Sequence, residues 1–289
     1  MKDSSIKVLY IAGNGHSGST LLDIIIGKST DIFSAGEITF ITRDSIFDEY
    51  CSCHKLIQDC RIWSSIIKIW QETSVINIKE YRKLRLKFER NKTTLNVIRN
   101  IIKPSNDFIK YCNSTLSLFQ AIQKVTGKSI IVDSSKSPQR IAILRRIVDL
   151  KVIHLCRNAS GVLNSAKKTS KKNIRAGREI DSPARSTFKT LTEWCFVNII
   201  TELFCIGVKS DKIKYKDYIK NLNLVERLHP SIKLENILSF RADHMLAGNT
   251  LRLEKVIKIN QSLGFKYKRL SSKQIRIANV FEFVFPFWS

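Results

Sequence analysis

The 289-residue chain has no run of about 18 apolar residues, the length a membrane-crossing helix needs, so the sequence predicts no membrane-spanning helix. It also leaves no room for a leader. An apolar strand-like run starts within the first eight residues, and no signal peptide is expected. Acidic residues are scarce: 25 Asp and Glu stand against 49 Lys and Arg, a net charge of +24. No internal repeat is visible. No nucleic-acid module accompanies the basic residues, which are scattered apart from denser clusters at 79–92 and 167–178. Two readings of the charge stay open, a polyanionic partner or a solvated surface on a lysine- and isoleucine-rich chain. The second is preferred, with an anionic small ligand as part of the explanation. Nucleic acid is not expected as a partner, and peripheral contact with a membrane stays open. Seven cysteines, an odd number, without an export signal predict reduced thiols and a cytoplasmic location.

A hydrophobic content of 43% and 15 phenylalanines argue for a folded globular chain. Its length suits one large α/β domain, or one with a helical insertion. The organising stretch runs from residue 7 to residue 37. A short apolar strand, Val8 to Ala12, leads into a glycine-rich turn of Gly13, Asn14, Gly15, His16, Ser17 and Gly18. Ser19 and Thr20 then open an apolar helix. Glycines let the backbone bend back and present N–H groups, while the positive end of the helix dipole points at the same spot, a geometry suited to an anion. The alternative is a tight turn that needs glycine for backbone reasons alone.

From Gly13 to Thr20 the spacing nearly spells the triphosphate loop G-x-x-x-x-G-K-[ST], but Ser19 stands where the lysine belongs. That lysine reaches the β- and γ-phosphates, so its absence weakens an ATPase or kinase reading and leaves a cradle for a smaller anion.

Farther along, Cys51, Cys53, His54 and Cys60 precede Trp63. Thiolates and imidazole suit zinc, yet the spacing is not the common two-residue knuckle and no second pair follows. A local disulfide or buried thiols beside Trp63 are preferred, and no metal is assigned. Residues 64–126 show helical spacing, with Pro104 and Asn106 as a break and Gly127 as an end, and are read as a helical insertion over a sheet whose wet face is the basic 79–92 segment.

Ser129 to Asp133 is a predicted strand with Ser134 to Ser137 as its exit loop, and Pro138 opens a helix. Lys151 to Cys156 is the next strand, with Arg157 at its carboxyl end, followed by a helix from Ala159 to Lys168 carrying Ser165. Such strand–helix units imply parallel strands, whose carboxyl ends carry the ligand. The basic stretch 169–183 is a candidate lid. A helix of roughly Ala184 to Val208 and a short strand from Lys212 to Tyr215 follow. The C-terminal part holds His244, a Gly248-Asn249-Thr250-Leu251-Arg252 segment and the tail FEFVFPFWS, which is expected to pack in the core.

These residues resemble sulfotransferases that use 3′-phosphoadenosine 5′-phosphosulfate. The first signature of that family, an apolar strand and a G-x-x-R-S-G-[ST]-T-L loop, matches Gly13-Asn14-Gly15-His16-Ser17-Gly18-Ser19-Thr20-Leu21. The second, a strand ending in Arg with a serine eight positions on, matches Arg157 and Ser165. The likeness is greater to the tyrosylprotein sulfotransferase branch and related bacterial proteins. It covers about residues 7 to 252 and leaves 64–126 and the tail unaligned. Gly36-Glu37 fits that branch's Gly-Glu, Lys136 its loop lysine, and Tyr215-Lys216-Asp217-Tyr218 its Tyr-Glu-x-Leu-type motif. The Cys51-to-Trp63 cluster and the Gly248-to-Arg252 segment also look like features of bacterial members.

The resemblance implies a P-loop-type parallel β-sheet flanked by helices, spanning residues 1–289 as one α/β domain with a helical insertion at about 64–126. It implies 3′-phosphoadenosine 5′-phosphosulfate as sulfuryl donor, no metal, and an acceptor hydroxyl on a carbohydrate, lipid, peptide or small molecule. In that scheme Glu37 is the base, and Lys136 stabilises the transferring group with His16 assisting. Gly15, His16, Ser17, Gly18, Ser19, Thr20 and Leu21 hold the 5′-phosphate; Arg157 and Ser165 read the 3′-phosphate; Tyr215 and Arg252 complete the donor site. His16 departs from the family's Arg, and its charge depends on pH near neutrality. A P-loop small-molecule kinase and a non-catalytic binder of anions or nucleic acid remain the alternatives.

Overall fold

In β1 (Asp3–Ala12), Val8, Tyr10 and Ala12 face one side of a sheet and Leu9 and Ile11 the other, and all five are buried. A two-residue period with both faces covered gives the continuous apolar run seen in the sequence. The computed structural model describes residues 2–168, 170–173, 178–181, 185–234, 239–259 and 267–288, with backbone only for 170–173 and 178–181. Four further strands are β2 (Ile32–Ser34), β3 (Ile130–Lys136), β4 (Val148–Cys156) and, after an antiparallel pair of β5 (Ser170–Asn173) and β6 (Arg178–Asp181), β7 (Lys209–Lys214). The main sheet runs in the order β2-β3-β1-β4-β7, and every neighbouring pair is parallel. All five carboxyl ends therefore share one edge. The α/β, parallel-sheet expectation holds.

Helix α1 (Ser19–Ile26) lies against one face, where Leu22, Ile24, Ile25 and Ile26 join Leu9, Ile11, Val132 and Ile153. The other face carries the helical insertion: α2 (Arg61–Thr73), α3 (Ile78–Phe88), α4 (Thr94–Ile102) and α5 (Asn106–Thr126). Trp63, Trp70, Phe88, Phe108 and Phe119 pack there against Val8, Tyr10 and Val152. Each such side chain taken out of water contributes about 1.5–3 kcal/mol. Asn77 and Ser105 cap α3 and α5 through their side chains, and Gly127, at φ 64°, ends α5 as its sequence position predicts. Next come α6 (Pro138–Ile147), α7 (Ala159–Ala166), α8 (Thr187–Cys205), α9 (Tyr215–Lys220), α10 (Asn223–Glu226) and α11 (Ser272–Val284). Among the described residues, no helix is long and apolar enough to cross a membrane.

Several expectations need correction. Strand β3 runs on through Ser134-Ser135-Lys136, expected as an exit loop, because Lys136 pairs with Ala12 across an irregularity in the β1–β3 ladder. The insertion divides into four helices, with further breaks before the expected one at Pro104 and Asn106. Tyr215 opens a helix instead of closing a strand. The tail is only partly core: Trp288 packs on Trp194 and stacks on Phe285, whereas Phe283 and Phe287 are exposed. The expected lid at 169–183 lies partly outside the described residues; its described backbone is the β5–β6 pair, with Ser170 opposite Asp181.

Candidate active site

Each strand of the sheet delivers one chemically distinctive residue at its carboxyl end. β1 delivers the loop from Gly13 to Gly18, β2 delivers Glu37, β3 ends on Lys136, β4 delivers Arg157 and β7 delivers Tyr215. All of these strand-end groups except Ser17 line one cavity of about 620 Å³.

The loop's shape is set by backbone that only glycine adopts freely. Gly13 has φ 138°, and a Cβ there would stand 2.4 Å from the Leu155 carbonyl oxygen. Gly18 has φ 94°, and a Cβ would strike the Tyr215 ring at 2.5 Å. Tyr218 donates its hydroxyl to the Gly18 carbonyl at 3.1 Å, so α9 clamps the loop from below the helix start. Helix α1 has no side-chain cap and no acidic residue in its first turn. Its first amides are the orphan donors an anion would satisfy. Ser19, Thr20 and Leu21 line the cavity beside Gly15, His16 and Gly18. Ser17 departs from the rest: its side chain is buried, its hydroxyl lacks a partner, and it does not line the cavity.

Glu37 and Lys136 form an ion pair, Nζ to Oε1 at 2.5 Å, with the carboxylate side chain largely buried and the ammonium about one-fifth exposed. The Glu37 amide donates to the Ala247 carbonyl, and the Ser134 amide to the Gly36 carbonyl, which locks β2's exit onto β3. Lys136 itself sits at φ 71°, a left-handed conformation that costs a non-glycine residue about 1–2 kcal/mol. It is held there by its pairing with β1 and by a buried network under the loop. Asp133 accepts from the Ser135 amide and hydroxyl and from Arg140 Nε at 2.6 Å, while Arg140 also donates to Glu89 at 2.7 Å. Strain concentrated at this lysine marks a position whose geometry matters.

Arg157 lies across the sheet from that pair. Its NH1 donates to the His16 carbonyl at 2.8 Å, and its guanidinium stacks over the Tyr215 ring at 4.3 Å. Its Nε is buried without a partner, burial pushes its pKa down, and no carboxylate pairs with it among the described residues. A desolvated guanidinium in this state is complementary to an anion. Ser165, eight residues on in α7, brings its hydroxyl within 3.4 Å of His16 Nδ1 and lines the same wall. The structure brings His16, Arg157, Ser165 and Tyr215 together beside the loop.

Arg252 is a correction. It is buried, does not line the cavity, and donates to the Tyr50 carbonyl at 2.7 Å, so its contact is with the cysteine loop instead. Its neighbours Gly248, Asn249 and Leu251 take the wall position, and the Asn249 amide donates to Thr20 Oγ1.

No protein-family model matches the chain, and no curated protein matches it. Solved structures do. A sulfotransferase domain from the curacin biosynthetic pathway superposes over 96% of this chain and 98% of that domain, with TM-score 0.52 at 15% identity. The chain has the fold of a sulfotransferase domain. A sulfotransferase domain from the Synechococcus PCC 7002 olefin synthase aligns over 97% of this chain and 96% of its own, with TM-score 0.45 at 13% identity.

On this sulfotransferase fold, sequence reasoning missed several wall residues. Glu89 and Asn91 join Ser135, Lys136 and Pro138, and Arg185, Glu193 and Val197 come from the α8 side. Glu89 carries no motif, since it stands among the basic residues after α3 as if solvated. Ser137, whose hydroxyl donates to the Glu89 carbonyl, and Arg140 and Tyr111, which donate to its carboxylate, hold it at the site.

Proposed function

We propose that this protein transfers a sulfuryl group from 3′-phosphoadenosine 5′-phosphosulfate to an acceptor hydroxyl. The observation that carries the reading is the shared cavity at the strand ends, which puts an acid–ammonium pair and a half-buried guanidinium without a carboxylate partner among the described residues beside one glycine-rich anion loop. Sulfuryl transfer resembles phosphoryl transfer in asking mostly for positioning and neutralisation of charge.

The contacts within the site support these roles. Amides of residues 17 to 21 and the hydroxyls of Ser19 and Thr20 hold the 5′-phosphate at the helix start. Arg157 and Ser165 read the 3′-phosphate, the group that separates this donor from ATP. Glu37 takes the proton from the acceptor hydroxyl, and the neighbouring Lys136 neutralises the sulfuryl and bridging oxygens. His16 assists from the loop, with its Nδ1 near the Ser165 hydroxyl. The acceptor enters between the loop and the helical insertion, past Asn91 and Pro138. A carbohydrate, lipid, peptide or small alcohol would serve, and no metal enters the transfer step.

The test is donor turnover. The purified chain is incubated with 3′-phosphoadenosine 5′-phosphosulfate and a mixture of hydroxyl acceptors, and formation of the 3′,5′-bisphosphate is followed by chromatography. Acceptor-dependent product that ATP does not replace supports the reading. Turnover of ATP in its place would return the kinase alternative.

A further inference from the structure

The cysteine loop singled out in the sequence takes no part in the proposed transfer, yet the fold completes it. Cys51, Cys53 and Cys60 are joined by His244, nearly two hundred residues later, and one ligand atom from each lies within 4.8 Å of the other three. We propose that these four side chains form a structural zinc site, Cys3His, that fastens the 51–60 loop to the segment carrying Gly248.

The distances support a metal over a disulfide. Bond lengths near 2.3 Å to sulfur and 2.0–2.1 Å to nitrogen imply tetrahedral edges of about 3.8 Å between sulfurs and about 3.5 Å from sulfur to nitrogen. Cys51 and Cys60 sulfurs are 3.6 Å apart, Cys60 Sγ is 3.4 Å from His244 Nδ1, and Cys51 Sγ is 3.9 Å from it. A disulfide would need a separation near 2.0 Å, and all seven cysteines are free thiols.

The surroundings fit as well. Backbone amides of Cys53 and Trp63 hydrogen-bond the Cys51 and Cys60 sulfurs, and Trp63 Nε1 donates to the His244 carbonyl. Three thiolates around Zn²⁺ leave one net negative charge. The buried guanidinium of Arg252, whose Nε has no hydrogen-bond partner, donates through NH1 to the carbonyl of Tyr50, the residue before Cys51. That charge balance gives Arg252 a reason to be buried.

The site also reaches the catalytic edge through the backbone. The Ser52 amide donates to the Met245 carbonyl, the Leu246 amide to Ala35, and the Glu37 amide to Ala247. Gly248 follows at φ 129°, where a Cβ would touch both Glu37 Oε1 and Thr20 Oγ1. Zinc at Cys51, Cys53, Cys60 and His244 would thus hold the strip that fixes Glu37.

The experiment is metal analysis of the full chain, purified under reducing conditions without added metal. About one zinc per chain is expected by plasma mass spectrometry. Cobalt added to the metal-stripped chain should give thiolate charge-transfer bands and tetrahedral ligand-field bands. Cys60→Ser and His244→Ala should lose zinc or bind it at least tenfold more weakly against a chelator, whereas Cys112→Ser, a buried thiol elsewhere, should retain it. A wild-type chain that holds no zinc and gives no tetrahedral cobalt spectrum overturns the proposal, even where variants fail to fold. So does an unreduced chain two hydrogens lighter through a Cys51–Cys60 bond, or zinc retained by both variants. None of these readouts depends on sulfuryl transfer or donor binding, so failure of the functional reading would leave this result standing.

Discussion

Lys136 Nζ rests 2.5 Å from Glu37 Oε1. The group assigned to take the acceptor's proton and the group assigned to neutralise the transferring sulfuryl are therefore already paired, at the ends of two adjacent strands. Exchange of Glu37 for Gln keeps the shape and removes the base. Turnover should fall about 10²- to 10⁴-fold, with the bisphosphate product still binding within about threefold of wild type by calorimetry, an expectation drawn from the base role alone. Equal losses in binding and turnover would place Glu37 in donor binding instead.

Gly18 tests the loop's shape. Gly18→Ala puts a methyl group into the Tyr215 ring at a φ of 94° and should cost about 1–3 kcal/mol with loss of donor affinity. Gly127→Ala, at φ 64° with open space around it, should cost about 1 kcal/mol and leave donor affinity unchanged. Thermal melts and titration of both variants separate strain from function.

Ser165 distinguishes the two phosphates. Ser165→Ala should weaken binding of 3′-phosphoadenosine 5′-phosphate by about 0.5–1.5 kcal/mol and leave that of adenosine 5′-phosphate unaltered. Equal loss for both ligands would move Ser165 away from the 3′-phosphate.

Under the loop, Asp23 in α1 accepts hydrogen bonds from Ser34 and Ser134 at 2.6 Å, and burial pushes its pKa up to about 7. The folded chain binds this proton at pH values where the unfolded chain has released it. Stability from this carboxyl therefore falls as pH rises from the ordinary carboxylate range to about 7, and is level above that. Denaturant unfolding should show the wild type losing about 2–4 kcal/mol more than Asp23→Asn between pH 4 and pH 8. Parallel curves for the two proteins would contradict it.

The sequence made the sheet and one side of the site legible because those signals are local. A buried parallel strand reads as an apolar run, and Gly13, Gly18 and Gly36 stand where left-handed backbone is needed. Arg157 and Ser165 share a strand end and the next helix, so eight residues of spacing suffice to pair them. Lys136 is legible as a loop lysine, but its place within β3 is not, because Ser134 and Ser135 read as turn residues until Asp133 and β1 hold them extended. Glu89 and His244 depend on contacts more than forty and more than one hundred and eighty residues away, which no local pattern encodes. Arg252 misled for the opposite reason: it sits beside true wall residues in sequence while its side chain turns to Tyr50.

Calorimetric titration with 3′-phosphoadenosine 5′-phosphate, with adenosine 5′-phosphate and ATP as comparisons, tests the central claim most directly. The account predicts selective binding of the bisphosphate in the wild type. In Arg157→Ala that selectivity should collapse, with a loss of about 1.5–3 kcal/mol for the 3′-phosphate contact and little change for adenosine 5′-phosphate. Equal binding of ATP and the bisphosphate, or full selectivity retained without Arg157, would contradict it.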